Sequence, residues 1–458
     1  MNQDKNLLYD IREVPRSAKE WILYTLQQVL SIFVATVLIA KICGTPISSC
    51  LFGAGVGTLI YQLITKFRSP MFISSCGATV SAVVGALILS VIPFAPNADH
   101  YRVVNGIAYA YDAYNNIIAS SPANFLMVTI GGIIIALVYI TFALIVRFKG
   151  IEGINRIFPP VIVGPVTMVI GLNLAKFLVD YTSANAAACS PWQVGIAILT
   201  AIFIAISSHY FKGFWKTIPF LLGLAFGYIL ALIVTLVGWE GLIDTNAFSQ
   251  MQWYPDFTFL NWRAGDFSWS NLGSTALLFI PVAICALLEH YSDHKCLSNI
   301  IGTDLTVDPG LDRTLIGDGV ASAVGTAVCG LPNTSYGESI ATTGFSRVAS
   351  VWIITAGAAF LILMSFLAPV NAFIQTIPSC VFGGCAMILY GYIAASGLKT
   401  LIRSKADLED NKNLIIVSVI LTTGVSGIFF LSQSFAGVSL AMVFGVILNL
   451  ILKEGKKA

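Results

Sequence analysis

Apolar runs of about 20 residues recur along the chain, separated by short polar or basic stretches, and that is the length a helix needs to cross about 30 Å of hydrocarbon. The pattern predicts fourteen crossing segments, near 21–42, 46–65, 71–93, 124–146, 159–179, 192–211, 217–238, 274–296, 314–331, 335–346, 348–369, 377–397, 413–431 and 435–452. Twelve read as continuous helices, while the third and the tenth are interrupted by Pro, Ser, Asn and Gly.

Composition agrees with this reading. The 458 residues are 57% hydrophobic and 10% charged, where a soluble domain carries about 25% charged residues, and the mean hydropathy is +0.83. The expected class is an all-α polytopic membrane protein. Lys and Arg gather on the cytoplasmic side of membranes. With the N-terminus inside, 21 of the 25 fall on that side and only Lys41, Arg102, Lys176 and Arg263 fall outside. An even number of spans in the cell membrane, with both termini cytoplasmic, is therefore expected. Residues 1–20 are polar and contain no cleavable-signal pattern. The net charge of +2 gives no reason to expect nucleic acid. Nine cysteines lie mostly within apolar runs, without metal-ligand spacing, so no cofactor or metal is expected. A Cys43–Cys50 bridge is conceivable, but buried free thiols are the favoured reading. The outer stretch 96–124 reads as a lid or short surface helices, and 244–270, with Trp253, Tyr254, Trp262 and Trp269, as an interfacial aromatic belt.

Divided after the seventh span, the chain gives two groups of seven. An odd number of spans per half inserts the second half upside down, which is the inverted-repeat layout of secondary transporters. The third and tenth spans are then equivalent, and both carry Ser-(Cys or Tyr)-Gly, at 75–77 and 335–337. Each reads as a short extended segment leading into a half-helix, with the two helix N-termini facing each other and offering free backbone N–H groups. Three carboxylates complete the picture. Glu289 and Asp293 stand one helical turn apart at the end of the apolar run from Ser274, and Glu338 opens the tenth-span half-helix. Acids in a membrane interior are costly and read as functional. A small planar ligand could donate N–H groups to Glu289 and Glu338 and accept from the backbone at Cys76 and Gly337, a pattern that nucleobases carry. Asp293 shares a face with Glu289, and their mutual repulsion suits the pair to take up a proton. A solvated or capping role for Asp293 is the competing reading, because Ser292, His294 and Lys295 suggest a helix leaving the bilayer. Asp318 reads as a helix cap and His290 as a packing residue.

The sequence also resembles the nucleobase/ascorbate transporters, most nearly the bacterial uracil/proton symporters among them. The resemblance is carried by Leu26–Leu38, Phe158-Pro-Pro-Val-Ile-Val-Gly-Pro, Asp308-Pro-Gly-Leu-Asp-Arg313, Pro332-Asn-Thr-Ser-Tyr-Gly-Glu-Ser-Ile340, Leu389-Tyr-Gly-Tyr-Ile-Ala-Ala-Ser-Gly397 and Asn413–Gly427. It implies fourteen spans arranged as a core domain (21–146 and 274–369) and a gate domain (157–238 and 377–453), with the substrate between them, and a homodimer. It also implies that Glu289 and Glu338 are the base-binding acids and that Ala35, Tyr336, Gly337 and Tyr390 form the pocket wall. Asp293 stands where the uracil symporters have a proton-linked His. Departures from the family pattern are Ser339, Ala341 and Ser346 after Glu338, Cys76 in place of an aromatic wall residue, and Gln28 in place of a first-span His.

The resulting expectation is a proton-coupled importer of a nucleobase, uracil first and xanthine or uric acid as the alternative, with Glu289, Asp293 and Glu338 handling the proton. A sulfate-permease-like anion carrier would share the architecture but should offer a basic pocket residue. A membrane enzyme is not expected, because the four histidines (100, 209, 290 and 294) form no catalytic set. A receptor without transport would bind the base and fail to accumulate it.

Overall fold

The computed structural model describes residues 7–96, 98, 100–112, 116–150, 158–175, 178, 190–243, 245–249, 251, 253–426 and 437–452. Parts of the expected spans 159–179, 413–431 and 435–452, together with Lys176 and Cys189, lie outside these residues. Capping chemistry sets the first helix, α1 (Ala18–Cys43). Ser17 and Glu20 cap it reciprocally, and Gly44 closes it in the left-handed region at φ 64°. After α2 (Ile47–Ile64) the chain becomes extended as β1 (Ile73–Ser75), makes a single 3-10 turn at Gly77–Thr79 and continues as α3 (Val80–Leu87).

Among its described residues the stretch 96–124 forms no surface helices. It is an antiparallel sheet of β2 (His100–Val104), β3 (Ile107–Tyr111) and β4 (Ile117–Pro122). The cause is local. Asn105 (φ 49°) and Gly106 (φ 74°) make a two-residue turn whose positive angles match the twist of a hairpin, and the following residues alternate. The sheet docks on the end of α1 through Gly106 N–H donating to Gly44 O at 3.2 Å. The described residues of 245–268 form short turns, and Trp253, Tyr254, Trp262 and Trp269 are exposed, as an interfacial belt requires.

There follow α4 (Phe125–Lys149), α5 (Pro160–Leu174), α6 (Pro191–Tyr210), α7 (Pro219–Val237), α8 (Trp269–Ile301) and α9 (Leu311–Cys329). Then come β5 (Asn333–Ser335), α10 (Gly337–Ser346), α11 (Val351–Ser365), α12 (Ala368–Thr376), α13 (Ser379–Arg403), α14 (Asn411–Val425) and α15 (Val438–Ile451). Among the described residues seven helices (α1, α2, α4, α6, α7, α8 and α13) are long and apolar enough to cross a membrane, or eight segments if α11 and α12, bent by 82°, count as one. Shorter apolar helices occupy 77–90, 160–174, 411–425 and 440–451. The protein is thus a mostly helical, multi-span membrane protein. On α6 and α7 the exposed stripes Ile198, Leu199, Ile202, Ile206 and Ile229, Leu232, Ile233, Leu236 are suited to lipid.

Two sets of helices pack internally. α9 lies along α4 and α2, α11 on α2, and α8 on α4; separately, α13 lies along α5 and α6, α6 on α7, and α14 on α5 and α15. Inside the first set β1 and β5 pair antiparallel, Ile73 opposite Ser335, Ser74 opposite Thr334 and Ser75 opposite Asn333. This is the meeting of interrupted spans expected from the Pro/Ser/Gly pattern. Asn333 fastens the pair to the helices on either side, donating from Nδ2 to Gly53 O (3.0 Å) and Ala321 O (3.2 Å). A Cβ at Gly57 would stand 2.2 Å from that Nδ2, so glycine is needed there for α2 to approach. Cys43 and Cys50 are buried free thiols rather than a bridge, and Cys50 Sγ lies 3.3 Å from Thr45 Oγ1.

Candidate functional site

The two helical sets enclose a cavity of about 430 Å³, within the range of small-molecule sites. Its polar face comes from three elements. The first is α8, which runs 33 residues, about 50 Å at 1.5 Å per residue, and ends only at Ile301. Glu289 and Asp293 therefore sit well inside the helix, not at its exit, and both line the cavity. A capping role for Asp293 does not fit a position two turns before the helix ends, and its Oδ2 accepts from Ser335 Oγ at 2.7 Å.

The second element is β5, whose Thr334 and Ser335 reach the cavity edge, and the third is the start of α10, which adds Tyr336, Gly337 and Glu338. The first N–H groups of a helix have no partners within it, so the N-terminus of α10 offers donors and a positive dipole end beside the Glu338 carboxylate. The opposite wall holds Ala35 and Ile39 of α1 and Gly77 and Ala78 at the start of the third-span arm. Of the expected site residues, Glu289, Asp293, Glu338, Gly337, Tyr336 and Ala35 thus come together.

Cys76, Tyr390 and Ser339 do not line the cavity. Cys76 is 2% exposed, and its backbone N–H donates to Pro332 O at 2.8 Å, because the β1–β5 ladder continues one residue past the strand. It cannot offer that donor to a ligand, and Gly77 and Ala78 form the wall instead. Tyr390 is 3% exposed. The cavity face of α13 is Leu389, Tyr392, Ile393 and Ser396, spaced i, i+3, i+4 and i+7, and Tyr390 points off it. Ser339 faces α1 and donates to Gln28 Oε1 at 2.9 Å, while Gln28 Nε2 donates to Thr343 Oγ1 at 3.1 Å. Two of the departures from the family pattern, Gln28 and Ser339, are therefore partners in one tie.

Sequence reasoning missed Lys216, which lines the cavity and lies over the Phe345 ring at 5.0 Å, and its neighbours Thr217 and Phe220. In the sequence Lys216 reads as one more inner-surface charge, and only the packing of the 213–217 turn against α10 brings it to the site. A basic pocket residue, the feature an anion carrier should offer, is thus present at the cavity wall together with the three acids. His290 is no mere packing residue and Asp318 no helix cap: His290 Nδ1 and Asp318 Oδ2 are 2.6 Å apart, and both side chains are fully buried. Among the described residues no group of three or more His, Cys, Asp or Glu is arranged to hold a metal ion.

Comparison with known proteins agrees with this architecture. A family model described as "Permease family" matches residues 19–432. The uracil permease of Bacillus subtilis is 34% identical over 99% of this chain and 97% of its own length. The uracil permease of Bacillus caldolyticus is 33% identical over 97% and 94%. In fold, the transmembrane domain of a cyanobacterial bicarbonate transporter, BicA, superposes with a TM-score of 0.62, covering 96% of this chain and 99% of the other at 14% identity. The chain belongs to this permease family, the nucleobase/ascorbate transporters, and is a membrane transporter rather than an enzyme.

Proposed function

We propose that the protein imports a nucleobase, uracil first, together with protons, by alternating access between two domains. The observation that carries this reading is the convergence of Glu289, Asp293 and Glu338 with the free N–H groups of the α10 N-terminus in one cavity. A base with adjacent N–H and C=O groups satisfies both kinds of partner, and charge-assisted hydrogen bonds fix its plane. The uracil permeases among the relatives support the choice of base.

In this reading the seven long helices, the α11–α12 pair, the four shorter apolar helices, α9 and the β5–α10 unit make fourteen crossings in two inverted repeats. The core is 21–146 with 274–369 and the gate is 157–238 with 377–453, a division supported by the two packed sets of helices. The lining residues Ser208, Lys216 and Phe345 lie near basic turns assigned to the cytoplasm, so the cavity faces inward with both termini inside. Protonation of the acid cluster from outside favours binding, and loss of the proton inside releases the base. A purine is the second reading, favoured by the cavity volume and the small Ala35 and Ala78 wall.

The test is uptake of radiolabelled uracil into proteoliposomes under an inward proton gradient, with unlabelled xanthine, urate, guanine and thymine as competitors. Accumulation abolished by a protonophore and competed by uracil-like bases is expected. Competition by xanthine or urate alone would move the assignment to a purine. No saturable uptake of any base would overturn it.

A further inference from the structure

The cavity has a second end that the scheme above does not use. On α10 the lining residues Glu338, Ala341, Thr342 and Phe345 are spaced i, i+3, i+4 and i+7, so one face of the helix lines the cavity for about 10 Å at 1.5 Å per residue. The lining face of α13, from Leu389 to Ser396, has the same length. The α10 N-terminus and Glu338 mark one end. At the Phe345 end the wall comes from Ser208 of α6, Lys216 of the 213–217 turn and Phe220 of α7, and the turn packs on both α6 and α10.

The chemistry of this end is the reverse of the first. Lys216 is half-buried, its Nζ lies 5.0 Å from the centre of the Phe345 ring, and among the described residues no carboxylate pairs with it. Ser208 Oγ is buried and has no hydrogen-bond partner among the described residues. The turn is held in place by Thr217 Oγ1, which accepts from Gln27 Nε2 of α1 at 3.0 Å and donates to Phe214 O at 2.6 Å. A lysine that only anchors a turn at the membrane surface extends into water and headgroups. Lys216 instead lines the cavity and rests on a ring of α10. An unpaired ammonium and a buried, unpaired hydroxyl on one cavity wall are costly without a ligand that accepts from them.

We infer that this end of the cavity is a second base site, on the cytoplasmic side of the acids, and that Lys216 determines which bases use it. Lys216 Nζ and Ser208 Oγ donate to ring carbonyl oxygens of a base that lies along the Phe345 and Phe220 wall. The acids take the N–H groups of the base and the inner site takes its C=O groups, so one molecule suits both in turn. Once the acids have lost their proton they repel the carbonyl oxygens, and the ammonium attracts them, which makes the inner site the stronger of the two in the inward-facing state. An exocyclic amino group at Lys216 would set donor against donor. The ligands of this site are therefore oxo-bases, pyrimidine or purine, in preference to amino-bases.

This inference rests on the reading of the chain as a base carrier whose cavity opens inward, and the experiment separates the two. Entry of labelled uracil is followed into right-side-out and inverted membrane vesicles loaded with saturating unlabelled uracil, without a proton gradient. Each half-saturating concentration then reports the face that meets the medium. Lys216→Met keeps the apolar stem and should raise that concentration about 10-fold in inverted vesicles, the loss of a hydrogen bond to a charged group, and by less than about twofold in right-side-out vesicles. Ser208→Ala should act on the same face by a smaller factor, about threefold. In Lys216→Met the margin by which uracil outcompetes cytosine at the inner face should narrow. An unchanged inner-face value in folded Lys216→Met would overturn the inference. So would equal changes at both faces, which assign Lys216 to the acid end or to the fold, or failure of Lys216→Met to fold together with an unchanged Ser208→Ala. Wild-type vesicles that exchange no base would overturn the functional reading, and with it the inference.

Discussion

The two strand-to-helix arms, 73–87 and 333–346, share a backbone and differ in chemistry. Each is a three-residue strand paired to the other, with Ser74 opposite Thr334, and each turns into a helix through a glycine that lines the cavity. The first arm enters its helix through a 3-10 turn, with Thr79 Oγ1 donating to Cys76 O at 2.9 Å, and carries no charge. The second runs directly into α10, carries Glu338 and positions two further acids through Thr334 and Ser335. Two arms of like backbone can thus divide their labour, the first giving wall and the second the helix dipole, Glu338 and the hydrogen-bond partners of two further acids.

The sharpest difference is at a register pair. Asn333 holds two helix carbonyls, while its strand partner Ser75 has a buried hydroxyl with no hydrogen-bond partner among the described residues. Asn333→Ala should cost about 2–4 kcal/mol by leaving buried groups unpaired, whereas Ser75→Ala should be neutral or slightly stabilising. Unfolding of the purified protein in detergent checks this, and equal losses would mean that the arms are fastened alike. Next in size is the acid itself. Glu338→Gln should reduce uracil uptake by about 10- to 150-fold, the value of a hydrogen bond to a charged group, while Cys76→Ala on the other arm should change it by less than about twofold. A large effect at Cys76 would restore it to the wall.

The glycines come third. A Cβ at Gly337 meets nothing within 4 Å and would project into the cavity, whereas one at Gly77 meets Ile393 and Ile39 at 3.6 and 3.9 Å. Both Ala variants should therefore fold. Gly337→Ala should raise KM for uracil about tenfold, as one methyl group in a pocket can, and Gly77→Ala by less. The reverse order would place the base against the first arm.

The legible parts of this molecule are those that depend on local sequence. Pro70–Ala78 and Pro332–Glu338 announce broken spans because Pro, Ser and Gly cannot make a continuous apolar helix, and acids in apolar runs announce the site. The sheet of β2, β3 and β4 was legible too, in Asn105-Gly106 and the alternation of Ile107–Tyr111, although the stretch reads as a lid or short surface helices when weighed by composition alone. Helical phase was the limit elsewhere. Tyr390 and Ser339 stand one position from residues that do line the cavity, and one position is about 100° around a helix. Lys216 and the His290–Asp318 pair depend on contacts between distant segments, which no single-sequence pattern encodes.

The smallest effects concern how each arm is tied to α1. Thr36 Oγ1 lies 2.7 Å from Ser74 Oγ on the first arm, and Ser339 donates to Gln28 at 2.9 Å on the second. Thr36→Val and Ser339→Ala each leave one buried polar group alone and should each cost about 1 kcal/mol. Their combination carries the information. Sites that do not share partners add to within about 0.5 kcal/mol, so an additive double variant would mean that the arms respond separately. A larger coupling would mean that the β1–β5 pairing makes them one body. In that case a base bound at Glu338 also moves the wall at Gly77, and the division of labour between the arms is one of chemistry only.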